Sequence, residues 1–317
     1  MRSLVLELAL AVRERVLPML GEHSAREHGD RAAGGDVTFE IDRVAEELVA
    51  AFLAEHAEGV AFYSEDRGLV EPAGAARWVL VVDPVDGTRP ALAGLESCCV
   101  SVAAAALPEG WSPEDPASGP TMGDVSVGCV VEIPSGTTFL AERGAGLVEG
   151  PPVRLSPNAR LERMFWSYGF RGRPARALCE VLAELIDASS VGGGSFDLGS
   201  ASFDMTRLLT GQLDAYVEPS TRIVEEIPGM RAEFERVGGG AVLTNSPYDL
   251  AAAALCLTEA GAIVTDAHGE SLARRPLLGS SAEFQMSCVA SANPGLHELV
   301  LAEIETGMQR LRDKVAR

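Results

Sequence analysis

The stretch Trp78-Val79-Leu80-Val81-Val82-Asp83-Pro84-Val85-Asp86-Gly87-Thr88 decides how the rest of the chain is read. Trp78 to Val82 is a continuous apolar run, long enough for an interior strand and too short for a helix. Asp83 ends it. Pro84 fixes φ near the value required at the second position of a type I turn. The sequence therefore predicts a tight turn that folds Asp86 back toward Asp83. Gly87 lets the backbone approach a ligand closely, and Thr88 offers a hydroxyl and an amide at a helix start. Two carboxylates held together repel unless a cation sits between them or one takes a proton. The natural guest is a hard cation with oxygen ligands, usually Mg²⁺, and the carbonyl of Val85 offers one more oxygen. The amides of Gly87 and Thr88 suit a phosphate.

Working outward, the bulk numbers exclude several classes. A net charge of −20 over 317 residues argues against a nucleic-acid polymer as partner, because that needs a basic face. It leaves small phosphorylated substrates open, since bound divalent cations reverse the local sign. The six cysteines (Cys98, Cys99, Cys129, Cys179, Cys256 and Cys288) show no CxxC spacing and read as reduced thiols, which places the protein in the cytoplasm. No apolar run reaches membrane-spanning length. Near the start, Leu4, Leu8, Val12, Val16 and Leu20 recur at helical spacing and are interrupted by charges, so an amphipathic helix and not a signal peptide is expected there.

Residues 22–35 are polar and glycine-containing and read as a loop, with Arg31 the basic group in reach of a phosphate. Asp36 or Thr38 is the expected cap of the helix that follows through Val44, Leu48 and Phe52. Strands are expected at 60–63, 97–106, 125–133 and 137–141, the last two joined as a hairpin by Pro134-Ser135-Gly136. The turn-rich segment 144–151 divides an N-terminal half, 1–150, from a C-terminal half, 151–317. In the second half the expected elements are a strand at 164–168, a helix at 175–186 and a helix through Leu209. A strand at 213–218, another at 286–291 and a closing helix at 294–312 complete it. Gly192-Gly193-Gly194 lacks the Lys-Ser/Thr of a phosphate loop and reads as a turn. Alternating strands and helices with antiparallel hairpins predict an α/β protein with mixed sheets.

The Asp-Pro-Val-Asp-Gly-Thr string at 83–88 resembles the metal-binding signature of the inositol monophosphatase family, whose relatives include fructose-1,6-bisphosphatases and 3′(2′),5′-bisphosphate nucleotidases. The likeness runs from about Asp36 to Asp266 and implies a layered α-β-α-β-α sandwich, a homodimer, and Mg²⁺-dependent hydrolysis of a small phosphate monoester. Inositol 1-phosphate is the first substrate implied, and Mn²⁺ is an alternative metal. Fructose 1,6-bisphosphate and a nucleoside bisphosphate are alternatives, as is a catalytically silent binding protein. Ser64-Glu65-Asp66 stands where the family carries a Gly-Glu-Glu-like motif, so Glu65 is implied as a metal ligand. Tyr248-Asp249 stands for the family's Trp-Asp, which makes Asp249 the last ligand.

The resemblance gives one metal to Glu65, Asp83 and the Val85 carbonyl, and a second to Asp83, Asp86 and Asp249. A third lies on Glu65. Asp42 is implied to pair with Thr88, the two orienting the attacking water. Gly87 and Thr88 are implied to hold the phosphate. Gly199, Ser200 and Ala201 line the pocket, and Glu218 accepts hydrogen bonds from substrate hydroxyls. Between Glu218 and Tyr248 the chain departs from the pattern with an insertion at 219–247, expected to act as a lid or a dimer contact.

Overall fold

The computed structural model describes residues 1–22, 28–31, 35, 37–72, 74–115 and 118–316, with only the backbone of 28–31. A seven-stranded sheet has the order β4 (Gly68–Val70), β3 (Val60–Ser64), β5 (Trp78–Asp86), β6 (Cys99–Ala106), β7 (Val125–Glu132), β8 (Thr138–Glu142) and β9 (Gly146–Glu149). Only β3 and β5 run parallel; the rest is an antiparallel meander. A five-stranded sheet follows, in the order β11 (Gly194–Phe196), β10 (Phe165–Ser167), β12 (Ala215–Glu218), β14 (Cys288–Ser291) and β13 (Ile263–Thr265). A two-stranded ribbon pairs β1 (His28–Arg31) with β2 (Val37–Phe39).

Alternation along the strands makes the layers. In β5, Leu80 and Val82 face a core shared with α1 (Arg2–Val16) and α2 (Glu40–His56), while Val79 and Val81 face the opposite way. That second face packs on α5 (Ala201–Thr210) and α8 (Pro247–Glu259), which lie between the two sheets. In the smaller sheet Tyr216 and Cys288 point into this central layer, and Ala215, Val217 and Val289 point outward. The outer face is covered by α4 (Ala175–Ser189) and α9 (Pro294–Val315). The result is the α-β-α-β-α stack that the resemblance implies. A short helix, α3 (Thr88–Ala93), follows β5 directly.

Two local expectations are corrected. The supposed loop 22–35 contains β1, because its backbone finds ladder partners on β2: His28 opposite Phe39 and Arg31 opposite Val37. Helix α2 is capped from inside. The backbone N–H of Phe39 donates to Asp42 Oδ2 at 2.9 Å, while the Thr38 hydroxyl goes to Asp66 Oδ1 at 2.8 Å; Asp36 lies outside the described residues. The insertion is helical, as α6 (Ser220–Glu226) and α7 (Met230–Val237), whose Ile223, Val224 and Phe234 are buried in the outer layer.

Candidate active site

The decisive stretch does not turn at Pro84. β5 runs on to Asp86 with a β-bulge against β6: Asp83 lies opposite Ser101 and Asp86 opposite Cys99. In a regular strand, residues three apart point to opposite faces. The one extra residue between them brings both carboxylates to the same face of the sheet. Pro84 is accommodated because a bulge leaves a residue unpaired, which a central strand otherwise cannot. The Asp83 Oδ1 then accepts the Val85 N–H at 3.1 Å.

That face looks into the central layer, where α5 and α8 begin. At the start of α5 the backbone N–H of Ser202 donates to Asp86 Oδ2 at 2.6 Å, and the Ser202 hydroxyl donates to the Asp249 carbonyl at 2.7 Å. Asp249 sits in the first turn of α8, its Oδ2 accepting the Ser246 N–H at 2.6 Å. Two helix N-termini thus bring their partial positive charge to one carboxylate cluster. Asp83, Asp86 and Asp249 each present an oxygen within 4.8 Å of the others.

The electrostatics are those of crowded, desolvated acids. Burial, then the like charges of Glu65, Asp86, Asp249 and Asp42, push Asp83 well above the usual carboxylate range. Burial raises Asp86 to about 6, opposed by the Ser202 N–H and by the Arg171 charge among others. Burial and then the Asp86 charge raise Asp249 to about 7, against the Ser246 N–H and the charges of Arg171 and Arg173. Glu65 follows β3, whose last residue Ser64 pairs with Val82, so it stands beside Asp83 and its charge acts there.

Thr88 donates toward Asp42 Oδ1 and the Val85 carbonyl, both at 3.1 Å, so the expected Asp42–Thr88 contact is present. Burial lifts Asp42 to about 7, with the Phe39 N–H pulling the other way. Gly87 has φ +91°, and a Cβ there would lie 2.5 Å from the Ser97 carbonyl and 2.9 Å from the Ser200 Cβ, so only glycine fits. Gly199, Ser200 and Ala201 form the entry to α5 opposite Gly87, with the Ser200 hydroxyl accepting the Phe203 N–H at 3.2 Å. Arg31 lies on β1, and its side chain is outside the described residues.

Glu218 is held by neighbours within the protein. It ends β12 fully buried, its Oε1 taken by Arg173 Nε at 2.9 Å and by the Ser220 N–H at 3.2 Å. Oε1 is thus committed inside the protein, while Oε2 is buried with no hydrogen-bond partner among the described residues. Arg173 also donates to the Arg171 carbonyl at 2.8 Å and to Asn245 Oδ1 at 3.4 Å.

Sequence reasoning missed Arg171, Arg173 and Glu46. Glu46 accepts from the Ser64 hydroxyl at 2.8 Å beneath the β3–β4 turn, and burial lifts it to about 7. Its signal was readable: it sits four residues after Asp42, on the same face of α2. For the two arginines the sequence holds no comparable mark.

The sequence profile of the inositol monophosphatase family matches residues 1–309. The chain belongs to that family. Members of the inositol monophosphatase family are phosphatases that depend on divalent metal, typically Mg²⁺, and act on small phosphorylated substrates; the chain is a phosphatase of this family. It is 26% identical over 316 residues to a fructose-1,6-bisphosphatase/inositol-1-monophosphatase of Methanothermobacter thermautotrophicus, covering 96% of both chains. It is 28% identical over 242 residues to a putative Nus factor SuhB of Neisseria meningitidis, covering 76% of this chain and 77% of the other. Among solved structures, the Thermotoga maritima IMPase superposes with a TM-score of 0.67 at 21% identity, with 96% of each chain covered. The suhB protein of Bartonella henselae gives 0.69 at 19%, with 96% and 98% covered. These likenesses carry the fold. No helix among the described residues is long and apolar enough to cross a membrane.

Proposed function

We propose that the chain hydrolyses the phosphate monoester of a small polyol or sugar, with inositol 1-phosphate the first candidate and fructose 1,6-bisphosphate the second. The observation that carries this reading is the Asp83–Asp86–Asp249 cluster, whose oxygens lie within 4.8 Å of one another under two helix N-termini. An all-oxygen donor set of two buried acids, Asp83 and Asp86, and the half-buried Asp249, all with raised proton affinity, fits a hard divalent cation. Asp83, Asp86, Asp249, Glu65 and the Val85 carbonyl are the residues we assign to two or three Mg²⁺ ions. When bound, such ions polarise a phosphoryl oxygen and lower the pKa of a nearby water.

The chain's own groups do the rest. The Gly87 and Thr88 amides, freed at a strand end where no side chain fits, receive the phosphate. The Thr88 hydroxyl holds the attacking water and passes its proton toward Asp42 Oδ1, 3.1 Å away. An acid lifted to about 7 both takes and returns a proton near neutrality. The small side chains of Ser200 and Ala201 leave room for the ring of the leaving group. A homodimer in the cytoplasm completes the reading; the six cysteines, all free, support a reducing compartment.

Phosphate release from a panel of inositol, sugar and nucleotide phosphates, with and without Mg²⁺, tests it. Release from at least one ester, abolished by chelation, is expected. No Mg²⁺-dependent release from any of them would leave a binding protein.

A further inference from the structure

Glu46 is an acid in the body of α2 with only 2% of its surface exposed. Its cation, Arg67, stands off at 3.6 Å and is itself partly exposed. A buried carboxylate needs donors for its oxygens, and here a single turn supplies both. Oε2 accepts the Ser64 hydroxyl at 2.8 Å, and Oε1 accepts the Asp66 N–H at 3.3 Å. Ser64 and Asp66 are the two chain neighbours of Glu65. One carboxylate on α2 therefore grips the chain on either side of that residue. From the far side, the Thr38 hydroxyl donates to Asp66 Oδ1 at 2.8 Å.

The grip has a direction. Along β3, Val60 and Phe62 belong to the core shared with α1 and α2, while Ala61 and Tyr63 belong to the central layer. That alternation puts the Ser64 side chain toward α2, where it meets Glu46, and carries the next residue, Glu65, to the central-layer face. Ser64 stands opposite Val82 on β5, so Glu65 follows in step with Asp83, on the face of Val79 and Val81. The ladder between β3 and β4 closes at Ser64 and Gly68, the latter at φ +65°, and residues 65–67 form the turn beyond it. The two bonds to Glu46 hold that turn against α2.

Resting on the metal assignment above, we propose that Glu46 is a positioning residue: by clasping Ser64 and Asp66 it aims Glu65, and so sets the affinity of the ion that Glu65 shares with Asp83. Groups that stand behind a metal ligand govern affinity in this way, because a ligand held in place does not have to be ordered when the ion arrives.

Calorimetric titration of Mg²⁺ into the metal-free protein tests it, with wild type, Glu46→Gln, Glu65→Gln and the double variant side by side. Glutamine at 46 keeps the shape but turns an N–H₂ toward one of the two donors. Glu65→Gln marks the binding event that belongs to Glu65. Glu46→Gln should weaken that same event by about 10- to 100-fold and move any other less than about threefold. The double variant should bind no more weakly than Glu65→Gln, because Glu46 acts only through Glu65. Phosphate release by Glu46→Gln should need correspondingly more Mg²⁺ for half its maximal rate, with kcat recovered at saturation. Should Glu46→Gln not fold by circular dichroism, Ser64→Ala removes one of the two bonds and should weaken the same event by about three- to tenfold. Unchanged Mg²⁺ affinity, equal weakening of every event, or losses that multiply in the double variant overturn the proposal alone. Wild type that binds no Mg²⁺ overturns the metal assignment, and the proposal with it.

Discussion

Replacing Asp83 by Asn should make the metal-free protein more stable while removing its activity. Asp83 is buried, and its oxygen lies within 4.8 Å of those of Asp86 and Asp249. At that separation and an effective dielectric of about 20, one pair of unit charges repels by about 3 kcal/mol. Part of this is relieved by protonation, since Asp83 holds its proton far more tightly than an ordinary carboxyl. Holding that proton at pH 8 still costs free energy relative to the unfolded chain. An amide has the same shape, keeps the acceptor for the Val85 N–H at 3.1 Å, and carries no charge. We expect a gain of about 2 kcal/mol at pH 8 in chelator, which in a chain of this size is a rise in Tm of about 3 °C. Mg²⁺ should raise the wild-type Tm and barely move that of the variant. Turnover should fall by about 10³-fold or more, because one residue is asked to serve two ions. Differential scanning fluorimetry with and without Mg²⁺, beside a phosphate-release assay, reads all three. A variant less stable than wild type in chelator, or one that keeps turnover within tenfold, would refute the reasoning.

The same acids set the pH profile of the metal-free chain. Asp42, Glu46 and Asp249 are lifted to about 7 and Asp86 to about 6, so the folded state binds more protons than the unfolded one between about pH 4 and 7. The stability they contribute is fully present near pH 4 and is lost as the pH rises through 6 and 7. Thermal scans in chelator should show Tm falling across that window, and Mg²⁺ should flatten the fall. Gly87→Ala should lose at least about 2 kcal/mol, from the left-handed φ and from a clash with the Ser97 backbone, together with most of the activity; an urea titration and a phosphate assay check it. Arg173→Met leaves the Glu218 carboxylate buried without its cation and should cost about 3–5 kcal/mol, largely restored by adding Glu218→Gln, as a double-mutant cycle of urea midpoints would show.

Much of this protein was legible along the chain. The run Trp78–Val82 is a strand because five apolar residues ending in a carboxylate have no better place than a sheet interior. Asp83, Asp86 and Gly87 lie within five residues, so their nearness follows from chain connectivity alone. Helices such as α1 and α9 announced themselves by periodicity. Asp249 was found only through likeness to a family, since 163 residues separate it from Asp86 and nothing local marks a first-turn acid as more than a helix cap.

Tertiary structure decided the rest. Whether Asp83 and Asp86 meet by a turn or by a bulge depends on the register of β5 against β6, which is set by the pairing of two strands and not by Pro84. Asp42 was readable as a helix-start acid, yet its bond to Thr88 exists only because α2 packs on the face of the large sheet where β5 ends. Glu218 read as an acid at a strand end; Arg173, 45 residues away, makes it half of a buried ion pair. Strand and helix periods are written in neighbouring residues because backbone sterics act over a few bonds. The charge state and accessibility of a carboxylate depend on what the packed layers bring within a few ångströms of it, and that is a property of the assembled layers alone.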